Sequence, residues 1–192
     1  MDVHTQSFLN NHPCFNKGAS VNWGRVHLPV APNCNIQCNF CNRMYDCANE
    51  NRPGVTQKVY TPDEAVAYLE KLFKDRQDIS VIGIAGPGDP MCDADKTLPT
   101  FEKCRARFPH LMLCLSTNGL ALPEHVDDIV RIGVSHVTVT VNAVTPSVGG
   151  KVYAWVRYNG KTYTGEEGAA ILLARQDEGI RKLKEAGMIV KI

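Results

Sequence analysis

Cys34, Cys38 and Cys41 stand in the run C-N-I-Q-C-N-F-C, a CxxxCxxC triplet. The run follows a short apolar stretch, Val26-His27-Leu28-Pro29-Val30-Ala31. A chain that presents three soft ligands at this spacing must turn sharply where a strand ends, and that limits its architecture more than any other feature. Zinc sites favour four ligands built from cysteine pairs. Disulfide frameworks pair their cysteines in an oxidising compartment. Ferredoxin runs repeat a two-residue gap. A gap of three followed by a gap of two fits none of these. Three thiolates so close together suit three corners of a four-iron cluster, with the fourth iron open to chelate a small molecule.

The 192 residues are enough for one domain with its own core. With 44% hydrophobic and 21% charged residues, the chain reads as an ordinary soluble globular protein. A net charge of +1 argues against a nucleic-acid or anionic-membrane surface. No apolar run approaches a membrane span. Residues 1–7 show neither a basic segment nor an apolar one, so no signal peptide is visible. Eight cysteines without an export signal point to metal binding or catalysis rather than disulfides, and to the cytoplasm.

Apolar strand candidates at 25–31, 79–85, 111–116, 135–142 and from 188 onward alternate with helical stretches. Thr61-Pro62-Asp63-Glu64 opens a helix to about residue 74, with an N-cap threonine, a proline in the first turn and early acids. Phe101, Cys104 and Phe108 share one face of another, and Leu122-Pro123-Glu124 opens a third that ends near Gly133. Residues 166–186 make a fourth, closed by Gly187. Successive βα units predict a parallel sheet with right-handed crossovers. The expected fold is α/β, a partial TIM-like barrel spanning 25–192, with 1–24 as an N-terminal extension. A barrel of this kind needs more strands than these, so a C-terminal part is expected to be missing.

The polar motifs fall at one rim of that sheet. The cysteine triplet follows the first strand and Gly86-Pro87-Gly88-Asp89-Pro90 the second. Ser116-Thr117-Asn118-Gly119 ends the third and Asn142-Ala143 the fourth. Carboxyl ends of strands are where barrels and open α/β sheets build their sites. Taken one at a time, a Gly-Pro turn is a turn and a polar strand end can cap a helix. Cys14, Cys47 and Cys114 can all reach this rim, although a small buried cysteine is a common packing residue. Cys92 and Cys104 are assigned to packing or chance. His27 alternates with Val26 and Leu28, so it faces the barrel either as a core histidine or as a metal ligand.

The triplet after a first strand resembles the radical S-adenosylmethionine (SAM) family. That resemblance implies that Cys34, Cys38 and Cys41 hold a [4Fe–4S] cluster whose open iron chelates SAM, and that one electron then cleaves the sulfonium. Gly86, Gly88 and Asp89 match in position the motif that holds the SAM amino group, with G-P-G-D-P in place of the common G-G-E. Ser116, Thr117, Asn118 and Asn142 are then candidates to bond the ribose or carboxylate. Phe40 occupies a place that shields the cluster and touches adenine in relatives, or it simply packs.

A closer resemblance covers nearly the whole chain. His12-Pro13-Cys14, the stretch 31–55, G-I-A-G-P-G-D-P, L-C-L-S-T-N-G-L-A-L-P, H-V-T-V-T-V-N-A-V and Tyr163-Thr164-Gly165 are similar to the NifB family of nitrogenase cofactor-biosynthesis enzymes. The family implies fusion of two four-iron substrate clusters, K1 and K2, into an eight-iron precursor with a SAM-derived carbide and an added sulfur. Cys14, His27, Cys47 and Cys114 match positions that ligate the substrate clusters, with their partition left open. The resemblance also implies an iron–sulfur cluster donor, an electron donor such as ferredoxin or flavodoxin, and nitrogenase cofactor carrier or scaffold proteins. Further cluster ligands of the family, including a cysteine pair, lie beyond the point where these 192 residues stop. Two other classes fit parts of the pattern. A radical SAM enzyme acting on a peptide or small molecule explains the triplet but not the additional cysteines together. An iron–sulfur scaffold or carrier needs no SAM cradle.

Overall fold

In a computed structural model, residues 12–49 and 56–192 are described. The first eleven residues of the expected extension, and the 50–55 end of the longest matching stretch, lie outside the described residues. The described part opens with a single turn of helix, α1 (Ala19–Asn22), and strand β1 (Gly24–His27). Then come β2 (Ile36–Cys38), α2 (Pro62–Asp75), β3 (Ile79–Ile84), α3 (Ala94–Arg107) and β4 (Met112–Thr117). A 3-10 turn (Leu122–Glu124) leads into α4 (Val126–Ile132) and β5 (His136–Val139). The chain continues through α5 (Pro146–Val152), β6 (Tyr153–Tyr158), β7 (Lys161–Tyr163), α6 (Gly165–Glu185) and β8 (Ile189–Lys191).

Five strands form a parallel sheet in the order β1-β3-β4-β5-β8, so the α/β expectation holds. Every residue of β3 is buried, as a central parallel strand covered on both faces requires. Its outer face packs with α2 and α3 through Ile82, Ile84, Leu69 and Phe101, in a core that also takes Leu113, Leu115, Ile129 and Leu183. The boundary of α2 was legible because Thr61 and Glu64 close a reciprocal capping box around Pro62. The first strand is shorter than its apolar run. Leu28 still donates to the Gly83 carbonyl at 2.9 Å, but Pro29 has no N–H to continue the ladder. Pairing resumes only as a single bridge between Ala31 and Pro87. No helix among the described residues is long and apolar enough to cross a membrane.

A second sheet was not expected. Strands β2, β6 and β7 pair antiparallel in the order β2-β6-β7. The β6–β7 hairpin turns on Asn159 and Gly160, both at positive φ (48° and 73°), the backbone that an Asn-Gly pair adopts readily. This sheet has its own core of Ile36, Cys38, Leu120, Tyr153, Val156 and Leu172. Helix α6 joins the two cores, with Leu183 in the first and Leu172 in the second.

One substitution near each core tests the division. Leu172→Ala is expected to cost about 2–5 kcal/mol in urea unfolding and to lower iron retention, because it hollows the core beneath β2. Thr61→Ala, which removes the cap on the far side of the sheet, is expected to cost about 1 kcal/mol and to leave iron retention unchanged.

Candidate metal centre

The cysteine loop is tied to the rim by backbone. The Gly88 N–H donates to the Ala31 carbonyl at 2.6 Å and the Asp89 N–H to the Asn33 carbonyl at 2.7 Å. The approach is so close that a Cβ on Gly88 would stand 2.1 Å from the Asn33 oxygen. Buried Asp93 holds Asn33 from the other side, accepting from its backbone N–H and its side-chain amide, each at 2.8 Å. Cys34 follows at once. Cys38 ends β2, in register with Tyr153 of β6, so the middle cysteine sits in a strand rather than in the expected loop. Cys41 closes a turn by donating to the Cys38 carbonyl at 3.0 Å.

Asp89 is 3% exposed and fully engaged by its own chain. Thr117 Oγ1 donates to its two oxygens at 3.1 and 3.0 Å, and the Asn118 N–H at 2.5 Å. The Met91 and Cys92 N–H groups donate at 3.0 and 3.2 Å. Burial pushes its carboxyl above the usual range, and these donors pull it back. The carboxylate thus joins the loop after β3 to the end of β4. Within the motif, Gly88 lines the cleft with Asp89, whereas Gly86 lines a neighbouring pocket. The Gly86–Pro87 peptide bond is cis.

Cys34, Cys38 and Cys41 line one cleft with Ser116, Thr117 and Asn118, as the sequence suggested. The Asn118 amide reaches the Cys34 sulfur at 3.6 Å and the Asn35 side-chain oxygen at 2.8 Å. Arg43 is the cation of the loop. Its Nε donates to Gln37 Oε1 at 3.1 Å, and its guanidinium also reaches the Ile36 carbonyl and the Cys34 sulfur. Burial pushes the Cys38 thiol up to about 12, with the neighbouring Cys34, Cys47 and Cys41 adding to it and Arg43 opposing. Burial raises Cys34 as well, followed by the charge of Asp89. Buried thiols of this kind keep their protons until positive metal takes the proton's place. Among the described residues no three His, Cys, Asp or Glu side chains close to the distance of a single metal ion. An iron–sulfur cage spreads its thiolates more widely, so three soft sulfurs in one cleft beside a cation fit such a cluster.

Cys14, His27 and Cys114 line a second cavity inside the barrel, which shares Asn49, Ala85 and Ser116 with the cleft. Gly83 makes room for the His27 ring. This residue lies between His27 on β1 and Cys114 on β4, and a Cβ there would stand 2.7 Å from the His27 ring. A lone glycine in an apolar strand is the sequence signal for such an approach. Cys47 instead lines the triplet's cleft and the small pocket that it shares with His27 and Gly86. The four additional candidates therefore divide, with Cys47 beside the triplet and His27 facing both sides. His12 orients Cys14, accepting its backbone N–H at 3.1 Å on Nδ1. The His12 ring is buried against Phe15 and His136, and that burial, more than its charged neighbours, holds its pKa down at about 3.

Two candidates line neither the cleft nor its neighbouring cavities. Phe40 is 53% exposed on the turn between Cys38 and Cys41, so it neither packs in a core nor lines the cavity. Asn142 lies past the end of β5, its N–H 3.4 Å from the Tyr153 hydroxyl, and Thr140 takes the lining position. Cys104 is wholly buried in the main core, as assigned, and Cys92 is partly buried near Asp89. Sequence reading missed Arg43, Asp93, Gly83, His12 and Gln176. Gln176 on α6 donates to the Asn118 and Thr140 carbonyls at 2.7 and 3.0 Å, tying two strand ends together.

A parallel sheet with outer helices, with three thiols gathered in one cleft at its rim, defines an α/β protein built to hold a metal centre. Residues 28–192 match the family model for the radical SAM superfamily. The chain belongs to that superfamily, which implies a [4Fe–4S] cluster and SAM. It is 47% identical over 184 residues to the FeMo cofactor biosynthesis protein NifB of Chlorobaculum tepidum, covering 96% of this chain and 43% of that protein. It is 48% identical over 192 residues to the protein of the same name in Sinorhizobium fredii, covering 100% of this chain and 39% of that one. The chain thus spans about two-fifths of the length of these relatives. Among solved structures, methylornithine synthase (PylB) gives a TM-score of 0.53 at 16% identity, over 88% of this chain and 43% of that chain. Native anSMEcpe with bound AdoMet gives 0.54 at 13% identity, over 86% of this chain and 42% of that chain. At such identities the likeness concerns the fold alone.

Two substitutions separate the two cavities. Gly88→Ala is expected to cost several kcal/mol, about the upper end for point substitutions, and to abolish cluster loading at the triplet. Gly83→Ala is expected to displace the His27 ring and to lower iron held in the inner cavity, leaving SAM-dependent spectral changes at the triplet intact. Iron determination and spectra of anaerobically reconstituted protein read both.

Proposed function

We propose that this chain is the radical SAM part of an enzyme of nitrogenase cofactor biosynthesis. The observation that carries the reading is the shared wall between two cavities: the three-cysteine cleft adjoins a second cavity lined by Cys14, His27 and Cys114. A radical SAM protein acting on an organic substrate has no need of further sulfur and imidazole ligands beside its cleft. Similarity to the NifB relatives over nearly the whole chain supports the same conclusion.

In this reading Cys34, Cys38 and Cys41 hold the resident [4Fe–4S] cluster, and Ser116, Thr117 and Asn118 orient SAM. When bound, the pair supplies one-electron cleavage of a sulfonium carbon–sulfur bond. The chain's own part is to hold the sulfurs, exclude water and keep the reacting groups in line. Asp89 and Asp93 act at one remove, fixing the loop that carries the cysteines. The substrates are two four-iron clusters, K1 and K2. They are fused, with a SAM-derived carbide and an added sulfur, to an [8Fe-9S-C] precursor. Cys14, His27 and Cys114 face substrate iron from the inner cavity, and Cys47 faces it from beside the triplet. A nitrogen ligand such as His27 releases iron more readily than a thiolate, which suits cargo that must leave. Cluster donor, low-potential electron donor and nitrogenase cofactor carriers are the partners such a reaction requires, in the cytoplasm.

Iron per chain tests the reading. Wild type reconstituted anaerobically is expected to hold about three four-iron clusters, and the protein with all three triplet cysteines changed to Ala to lose only one. A single cluster, lost entirely in the triple variant, would mark either an ordinary radical SAM enzyme or a chain without its remaining ligands; the same result in a longer protein that carries those ligands would sink the cluster-fusing reading. His27→Cys is expected to keep its iron and stop product release; unchanged turnover would exclude the proposed role of the imidazole.

A further inference from the structure

Among the described residues, the lining of the inner cavity carries positive charge and no carboxylate. Two of its lining side chains are cations, Arg25 on β1 and Lys191 on β8. Arg25 is half-buried, and its guanidinium donates to the Cys14 sulfur. It sits two residues before His27 on the same strand, so both side chains face inward. Lys191 stands in register with Thr138, another lining residue, and its ammonium lies 5.9 Å from the Phe15 ring. Phe15 in turn packs on His136, next to the segment that carries Cys14. Neither cation is joined to a carboxylate by an ion pair within the described residues. A half-buried cation such as Arg25 is favoured when a ligand brings negative charge beside it, and the exposed Lys191 adds to that attraction.

We propose that Arg25 and Lys191 form a cationic wall that recognises the negative charge of a thiolate-bound iron–sulfur cluster held as cargo in the inner cavity. This rests on the reading of that cavity as a substrate-cluster site. Arg25 contributes an N–H aimed at the Cys14 sulfur as well as its charge. Lys191, at the exposed rim, contributes charge alone. They are positioning and selecting residues, not iron ligands. Net charge and hydrogen bonds to sulfur are among the levers that set the reduction potential of such clusters. A neighbouring cation favours the more negative, reduced state, so the wall raises the potential of the cargo as well as its affinity.

The test uses the chain with Cys34, Cys38 and Cys41 all changed to Ala, so that only cargo clusters are seen. Into it are placed Arg25→Gln, Lys191→Gln and the conservative Lys191→Arg, each reconstituted anaerobically with iron and sulfide. Iron per chain after desalting at low and high salt, and the midpoint potential from a spectroscopic redox titration, are the readouts. Arg25→Gln is expected to lose several-fold of its iron on desalting, and the cluster that remains to titrate at a lower potential. Lys191→Gln is expected to lower the potential less and to weaken the salt dependence of retention, with Lys191→Arg restoring both. Iron content and potential unchanged in both glutamine variants would overturn the proposal while leaving the cavity a cluster site. Absence of iron in the triple-alanine parent itself would overturn the cluster-site reading and the proposal with it.

Discussion

The architecture turns on one backbone contact. Gly88 and Asp89 lie against Ala31 and Asn33 at hydrogen-bond distance, with no space for a side chain at Gly88. This joins the loop after β3 to the segment that introduces the cysteines. Buried Asp93 holds Asn33, and buried Asp89 reaches across to Thr117 and Asn118 at the end of β4. Three strand ends are thereby fixed relative to one another before any metal arrives. A site built from three flexible thiols depends on such support, because ligand spacing that drifts cannot select one cage.

The second consequence is a division of labour between two layers. The parallel sheet carries its apolar core on the outer face, beneath α2 and α3, and leaves its inner face for chemistry. The antiparallel sheet β2-β6-β7 backs the cysteines from the other side, with Cys38 itself part of its core. Helix α6 spans both, and its Gln176 holds two strand ends by their carbonyls. Gly83 gives the His27 ring its place over β3, and Ser116, Ala85 and Asn49 form the wall between the two cavities. Cleft and inner cavity are therefore adjacent by construction of the barrel, at the carboxyl ends of neighbouring strands.

Much of the main sheet was legible in the sequence. The strands of 79–85 and 111–116 and the capped helix at Thr61 follow from local periodicity and capping chemistry, and they appear within a residue or two of expectation. The first strand came out short because a proline interrupts its ladder, a cue present in the sequence but outweighed by the apolar run. The hairpin at Asn159-Gly160 also had its signal, an Asn-Gly turn between aromatic and β-branched residues, but β2 did not. Three residues of strand gain their identity only from a partner more than a hundred residues away. Asp93 and Arg43 were silent for a similar reason, since a charged residue near a loop looks like any other until its partner is known.

The sequence by itself determined the ligand chemistry and the rim. Spacing of the triplet selects an iron–sulfur cage, and the order of βα units delivers every polar motif to one edge of a sheet, because both depend on neighbours along the chain. Only the tertiary structure decided which candidates meet. It set Cys47 with the triplet and Cys14 with Cys114, left Phe40 and Asn142 outside the cleft, and gave Asp89, which lines the cleft, an internal tie to Thr117. It also gathered Arg25 and Lys191 on one cavity wall from opposite edges of the sheet. Those outcomes depend on distances across the barrel, fixed by packing between segments far apart in the chain, and no local pattern encodes them.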